Sequence, residues 1–121
     1  MQQKAKSIRS FIGSKDFDQS RKFYQAIGFE EKILSHDMSV FAKDGLAFYL
    51  QAAYVKDWIE NTMLFLEVDD VEAWYEELKS RDLPATYPGA KLSAIRNEDW
   101  GRECFLHDPA GNLWHIGQFN L

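Results

Sequence analysis

One property of this sequence limits its fold more than any other: it repeats itself once. A shift of 54 residues lays Asp16 on Asp70, Phe17 on Val71, Asp18 on Glu72, Tyr24 on Leu78 and Phe29 on Leu83. In the first copy Asp16 is a good helix N-cap with Gln19 in the capping-box position. Phe17, Phe23, Tyr24 and Ile27 share one helical face, and Gly28 supplies the stop. In the second copy Asp69-Asp70 opens a helix. Val71, Trp74, Tyr75 and Leu78 then recur at i, i+3, i+4 and i+7, and Pro84 bars extension beyond Leu83. Two units are too few for a solenoid, so a pair of equivalent modules, each with a sheet face against its helix, is the expected solution.

Strand-like runs surround both helices. Ser7–Gly13 leads into the first and Thr62–Val68 into the second. After the first helix come Phe29–Ser35, Met38–Ala42 and Leu46–Gln51, parted by the turn pairs His36-Asp37 and Asp44-Gly45. After the second come short runs near Ala85–Tyr87 and Ser93–Arg96, then Arg102–His107 and Asn112–Phe119, the last two joined by Asp108-Pro109-Ala110-Gly111. The expected class is α+β: two tandem βαβββ modules forming a cup-shaped mixed sheet with helices on its convex side. Module 1 covers about residues 6–52 and module 2 about 61–119, within a single domain, 1–121, that has no linker beyond Ala52–Asn61.

Composition narrows the function. The chain has 121 residues with 45% hydrophobic and 27% charged side chains, which suits a globular domain with its own core. Its net charge of −5 argues against nucleic acid, whose binding rests on basic side chains neutralising phosphates. No apolar run approaches the roughly 20 residues of a spanning helix, and Met1–Lys6 carries no apolar segment of signal-peptide length, so no membrane partner is expected. Cys104 is the single cysteine, which excludes an intrachain disulfide and a Cys-based zinc cluster and makes a reducing cytoplasm the default location. Aromatic content is high at 15%, with Trp58, Trp74, Trp100 and Trp114 among the large side chains to be placed.

Alternation assigns faces. Leu64, Leu66 and Val68 form an aliphatic set suited to packing under the helix, while Met63, Phe65 and Glu67 point the other way. Matching Leu46 and Gln51 to Leu113 and Gln118 puts Leu46, Phe48 and Leu50 opposite the helix. The same match puts Leu113, His115 and Gly117 there, with Trp114 and Ile116 beneath. Arg9 and Phe11 of the first strand belong to that open face. The expected ligand-binding residues are Arg9, Phe11, Phe48, Met63, Phe65, Glu67, Trp100, Glu103, Phe105 and His115, a mixture of aromatic and polar groups that reads as the wall of a ligand cup. Cys104 falls on the helix side, as an inert buried thiol. His36, in a turn, is expected to be solvated, and His107 to order the turn that follows it.

Three segments then carry a resemblance. Gly13–Phe29, with its Asp16 cap and Gly28 stop, resembles the entry to the first module of the vicinal oxygen chelate superfamily. Leu66–Tyr75 resembles the opening of that superfamily's second module. Trp100–His115, containing His107-Asp-Pro-Ala-Gly-Asn112, is similar to its closing hairpin, most of all in bleomycin resistance proteins. The superfamily also includes glyoxalase I, extradiol dioxygenases and fosfomycin-inactivating transferases. Its enzymes hold a divalent metal at four inward positions, which the resemblance places at Arg9, Phe48, Met63 and His115. Only His115 suits a hard divalent ion: Arg9 brings positive charge, Phe48 has no donor and the Met63 thioether is soft. The resemblance therefore implies no catalytic residues, no metal and no cofactor.

Bleomycin resistance proteins are metal-free dimers that sequester a bulky, partly cationic, aromatic antibiotic. The resemblance implies a homodimer holding a small molecule, with stacking by Phe48, Phe65 and Trp100 and orientation by Glu67, Glu103 and His115. Arg9 is expected to pair with Glu67 or Glu103, or to meet an anionic ligand. Trp100 reads either as a loop closing on a ligand or as a lid packed on its own core. Three functions stand side by side: a metal-free sequestering protein, which the residues favour; a glyoxalase- or dioxygenase-like enzyme with a non-standard metal site drawn from Glu67, Glu103, His107 and His115, or a metal-free isomerase; and a non-catalytic interaction module.

Overall fold

Asp16 and Asp70 each cap a ten-residue helix in the computed structural model, which describes residues Met1–Asn120. The Asp16 carboxylate accepts from Gln19 N at 3.0 Å and the Asp70 carboxylate from Ala73 N at 3.1 Å, each satisfying one of the orphan donors of a helix start. Around the first helix lie β1 (Phe11–Gly13), α1 (Phe17–Ala26), β2 (Glu30–Ser35), β3 (Met38–Lys43) and β4 (Leu46–Gln51). The strand order is β1-β4-β3-β2, with β1 parallel to β4 and the other pairs antiparallel. The β3–β4 hairpin turns at Asp44-Gly45, both at positive φ (53° and 80°), which matches the twist of the flanking strands.

A short α2 (Lys56–Glu60) then leads to β5 (Met63–Glu67), α3 (Val71–Ser80), α4 (Leu83–Thr86), β6 (Lys91–Leu92), β7 (Arg96–Glu98), β8 (Gly101–His107) and β9 (Leu113–Phe119). Here the order is β5-β9-β8-β6, with β7 also on β8 and β5 parallel to β9. The result is the α+β arrangement of two βαβββ-like modules, each with its own mixed sheet.

Three local expectations are corrected. Ala85–Tyr87 is not a strand; its first two residues end α4 and Tyr87 follows as the cap. Pro84 sits in the first turn of α4, where a missing N–H is harmless, and the Tyr87 ring packs edge-on against Phe23 at 5.6 Å. The run Ser93–Arg96 is not a strand of its own: only Arg96 belongs to β7, and Ser93–Ile95 form the break after β6, where the Ser93 hydroxyl accepts from Phe105 N at 2.9 Å. The first strand begins at Phe11 rather than Ser7. The helix α2 has no periodic signal long enough to announce it.

The two modules meet through one aromatic core. The Tyr24 ring lies 4.9 Å from Phe48, 5.7 Å from Phe41 and 6.0 Å from Trp114, centroid to centroid. Aromatic pairs of this kind add roughly 0.5–1.5 kcal/mol each beyond area burial. The Tyr24 hydroxyl donates to Asp108 at 2.7 Å and accepts from Trp114 Nε1 at 3.0 Å, so a polar chain crosses the seam inside the apolar one. Asp108 also accepts from the backbone N–H groups of Ala110, Gly111 and Asn112, which fixes the β8–β9 turn. Asn112 in turn donates to Gly13 O at 2.9 Å, tying that turn to the end of β1.

Register decides which side chains face outward. Phe11 pairs with Tyr49 across β1–β4, and Phe65 with His115 across β5–β9. Tyr49 is therefore the counterpart of His115, and Phe48 of Trp114. The expected match is one residue off, and a slip of one in a period of two reverses every side chain in the strand. Phe48 (3% exposed) and Leu50 (0%) accordingly lie in the core under the sheet, not on the open face.

Candidate ligand-binding face

The outer face of the second sheet is built in rows. One row reads Phe65, His115, Phe105 across β5, β9 and β8; the next reads Glu67, Gly117, Glu103 and, on β7, Arg96. Gly117 leaves a gap in the second row that large neighbours occupy. A Cβ at this position would collide with Phe65 Cζ and come within 3.2 Å of Trp100 Cη2. Phe65, Trp100 and Phe119 therefore collapse over the bare backbone, with ring centroids 5.7 Å (Phe65–Trp100), 5.1 Å (Trp100–Phe119) and 5.6 Å (Phe65–Phe119) apart. Trp100 occupies the tight β7–β8 turn and packs on this cluster. Phe65 and Phe119 remain 46% and 47% exposed, an unusual state for two adjacent aromatic rings.

Beside the cluster, His115 Nδ1 lies 2.7 Å from Glu103 Oε1. The carboxylate fixes the ring and leaves Nε2 for a ligand. Glu103 is only 7% exposed, and Phe105 stands perpendicular to the His115 ring at 5.0 Å. Arg96 lies over Phe105 at 5.6 Å. Met63 (64% exposed) and Glu67 flank the same face at its edge. Aromatic rings next to a buried carboxylate make a surface that suits flat or cationic molecules.

The outer face of the first sheet differs. Phe11 stacks on Tyr49 at 4.7 Å, and Arg9 lies over the Tyr49 ring at 5.6 Å while its Nη1 donates to the phenol oxygen at 3.3 Å. The expected pairing of Arg9 with Glu67 or Glu103 does not form: Glu103 is held by His115 and Arg9 by Tyr49. Val40, Ala42 and Ala47 floor a shallow groove of about 360 Å³ beside Arg9.

Of the expected set, Phe65, Trp100, Glu103, Phe105 and His115 thus come together, with Met63 and Glu67 at their edge. Arg9 and Phe11 lie on the other sheet and Phe48 is in the core. Sequence reasoning misses Tyr49 and Phe119, and it places Gly117 on this face without giving it a role. Phe119 is within its reach, since it shares the parity of His115 at i+4.

With the register corrected, the four positions that the resemblance assigns to a metal are Arg9, Tyr49, Met63 and His115, on the outer faces of the two sheets. These residues do not fit a divalent metal: a guanidinium, a phenol bonded to it, a thioether and one imidazole already committed to Glu103 are a poor donor set. Among the described residues no group of three or more His, Cys, Asp or Glu side chains could hold a metal ion. His36 is solvated in its turn, its side chain 93% exposed. Burial lowers the basicity of His107, and Cys104 is fully buried with its thiol pushed up to about 11 by that burial. Neither is placed for nucleophilic or metal chemistry.

Solved structures of known proteins share this architecture. A bleomycin resistance determinant encoded on the transposon Tn5 superposes with a TM-score of 0.80 at 24% identity, over 95% of this chain and 99% of that one. A bleomycin-binding protein complexed with bleomycin gives 0.80 at 22%, over 96% and 100%. The chain has the glyoxalase/bleomycin resistance fold. The same fold carries an enzyme: a lactoylglutathione lyase from Agrobacterium tumefaciens matches with a TM-score of 0.71 at 16% identity, over 96% of both chains. No family model matches the sequence, and no curated protein matches it. No described helix is long and apolar enough to cross a membrane. This fold hosts both binding proteins and enzymes, so function has to be argued from the site.

Proposed function

We propose that this protein is a metal-free small-molecule binding protein, of the sequestering kind found among bleomycin resistance proteins, that holds an aromatic or cationic ligand on the outer face of the second sheet. The observation that carries this reading is the exposed cluster of Phe65, Trp100 and Phe119 over Gly117, beside the His115–Glu103 pair. Stacking comes from the three rings, and orientation from Glu103, His115 and Glu67. The likeness to bleomycin-binding structures makes an antibiotic of that type the first ligand to try. Because Phe11, Met63, Phe65 and Phe119 leave apolar surface in water, we further propose that the protein works as a homodimer. The single buried thiol suits a reducing compartment.

The test is a fluorescence titration with metal-free bleomycin and, as a simpler flat cation, ethidium. Saturable quenching that is lost in Phe65→Ala and Trp100→Leu supports the reading; quenching that survives both substitutions, or no saturation with either ligand, overturns it. A parallel check incubates the protein with Mn, Fe(II), Ni and Zn and then desalts it. Near-stoichiometric retention that disappears in His115→Ala would favour an enzyme instead. Sedimentation at micromolar concentration tests the dimer, and a monomer there would remove any groove shared by two chains.

A further inference from the structure

A hollow of about 360 Å³ lies between the β3–β4 turn of the first module and the start of α3 in the second. Phe29, Leu46 and Leu66 give it apolar surface and Trp74 forms part of its wall, while Asp44, Glu67 and Asp69 carry carboxylates at its rim. A second hollow of about 280 Å³ borders the first, and the two share Lys43, Asp44 and Trp74. Volumes of this order suit a small organic molecule.

Lys43 shows what the place accepts. Its ammonium sits 5.9 Å from the centre of the Trp74 ring and 3.7 Å from Asp44 Oδ2, and its stem crosses Gly28, where a Cβ would lie 3.5 Å from Nζ. The side chain is 31% exposed, so it covers the wall without being locked into it. The chain's own ammonium thus occupies the seat between an indole face and a carboxylate, a geometry that attracts cations in general. Lysine is a flexible occupant that returns to water at little cost. The rim keeps an excess of negative charge with Lys43 in place, and Leu46 and Leu66 give the hollow apolar surface beside it.

We propose that this inter-module hollow is a second binding site, for an organic ammonium ion with an apolar body, and that Lys43 is its built-in competitor. The ligand's cationic head replaces the Lys43 ammonium over Trp74, near Asp44, and its apolar body covers Leu46 and Leu66. The hollow meets the second-sheet face at Glu67, which lies on the rim of both, but its cation seat is on Trp74, whereas the aromatic cluster is built on Trp100.

The experiment follows the indole N–H signals of the four tryptophans by NMR while benzyltrimethylammonium is added, with benzyl alcohol as the neutral comparison. The Trp74 signal is expected to move saturably with the ammonium. Lys43→Ala is expected to tighten binding about fivefold, in line with removal of one exposed cation–π contact. Lys43→Arg, which keeps the internal cation, should bind no more tightly than the parent. Trp74→Leu should lose the site, and benzyl alcohol should not respond to Lys43→Ala. An unmoved Trp74 signal, or an affinity unchanged by Lys43→Ala, overturns the proposal. Shifts confined to Trp100 would do the same while leaving the second-sheet reading intact.

Discussion

The two sheets are alike underneath and unlike on top. Their helix sides are built from the same kind of residue at matching places: Phe48 and Leu50 on β4, Trp114 and Ile116 on β9, all at most 5% exposed. Their outer sides differ in almost every group. The first carries Arg9 bonded to Tyr49 beside a floor of small side chains; the second carries three rings over a glycine and a carboxylate–imidazole pair. The contrast separates the positions that the shared fold constrains from those it leaves free. A buried position must be filled with apolar volume in either copy, whereas an outer position answers only to what it meets in solution.

Removing one phenylalanine from each side puts the contrast under the greatest load. Phe48→Ala is expected to destabilise the protein by about 3–5 kcal/mol, as large-to-small changes in packed cores do. Phe65→Ala is expected to cost under about 1 kcal/mol and to abolish ligand quenching. Urea denaturation of both variants checks the first half, and equal losses would mean that the outer face is ordinary core. A subtler change is Gly117→Ala. Its methyl group must displace the Phe65 ring, which is exposed and free to swing outward, so binding is expected to weaken about tenfold (~1.4 kcal/mol) with little change in melting temperature. Calorimetric titration reads the one and thermal scanning the other.

A third prediction concerns the edge of the first sheet. Arg21 Nη2 and Nε grip the Glu31 carboxylate, Ser39 and Gln25 donate to it, and the Arg21 bonds are the chief reason that the carboxyl titrates below its usual value. A lowered carboxyl contributes stability that is present above its ordinary value and is lost as the pH falls through the lowered one. Replacing Glu31 by Gln should remove about 1 kcal/mol at neutral pH, since the pair is open to water on its Arg21 side. It should also flatten the acid limb of a stability–pH curve. An unchanged acid limb would show that Arg21–Glu31 carries no weight. The smallest effect is expected from Arg9→Ala, which should leave ligand quenching at the second sheet within about twofold; a larger loss would tie the two outer faces into one site.

Much of this architecture is legible in the sequence alone. The repeat at 54 residues names both helices, because an Asp cap followed by apolar residues at helical spacing has few other uses. The aliphatic parity of Leu64, Leu66 and Val68 fixes the orientation of β5, and with it Phe65. In β4 the signal fails for a physical reason. Phe48 and Tyr49 are adjacent aromatics, so neither parity looks polar, and the repeat alone cannot hold the register. The difference lies in a ladder, Phe11 with Tyr49 and Phe65 with His115, that joins residues far apart in sequence. The aromatic cluster is half-visible for a similar reason. Trp100 and Phe65 each stand out in the sequence, but what joins them is the absence of a side chain at Gly117. The α2 and α4 helices, at five and four residues, are too short for periodicity to register.

If the second sheet's outer face is where this protein meets its ligand, the most direct test is to add ethidium and watch the four tryptophan indole signals. Trp100 is expected to move saturably, while Trp114, buried with its N–H donated to Tyr24, stays in place. A spectrum in which Trp100 is still at saturating ethidium, while another indole moves, would contradict that placement.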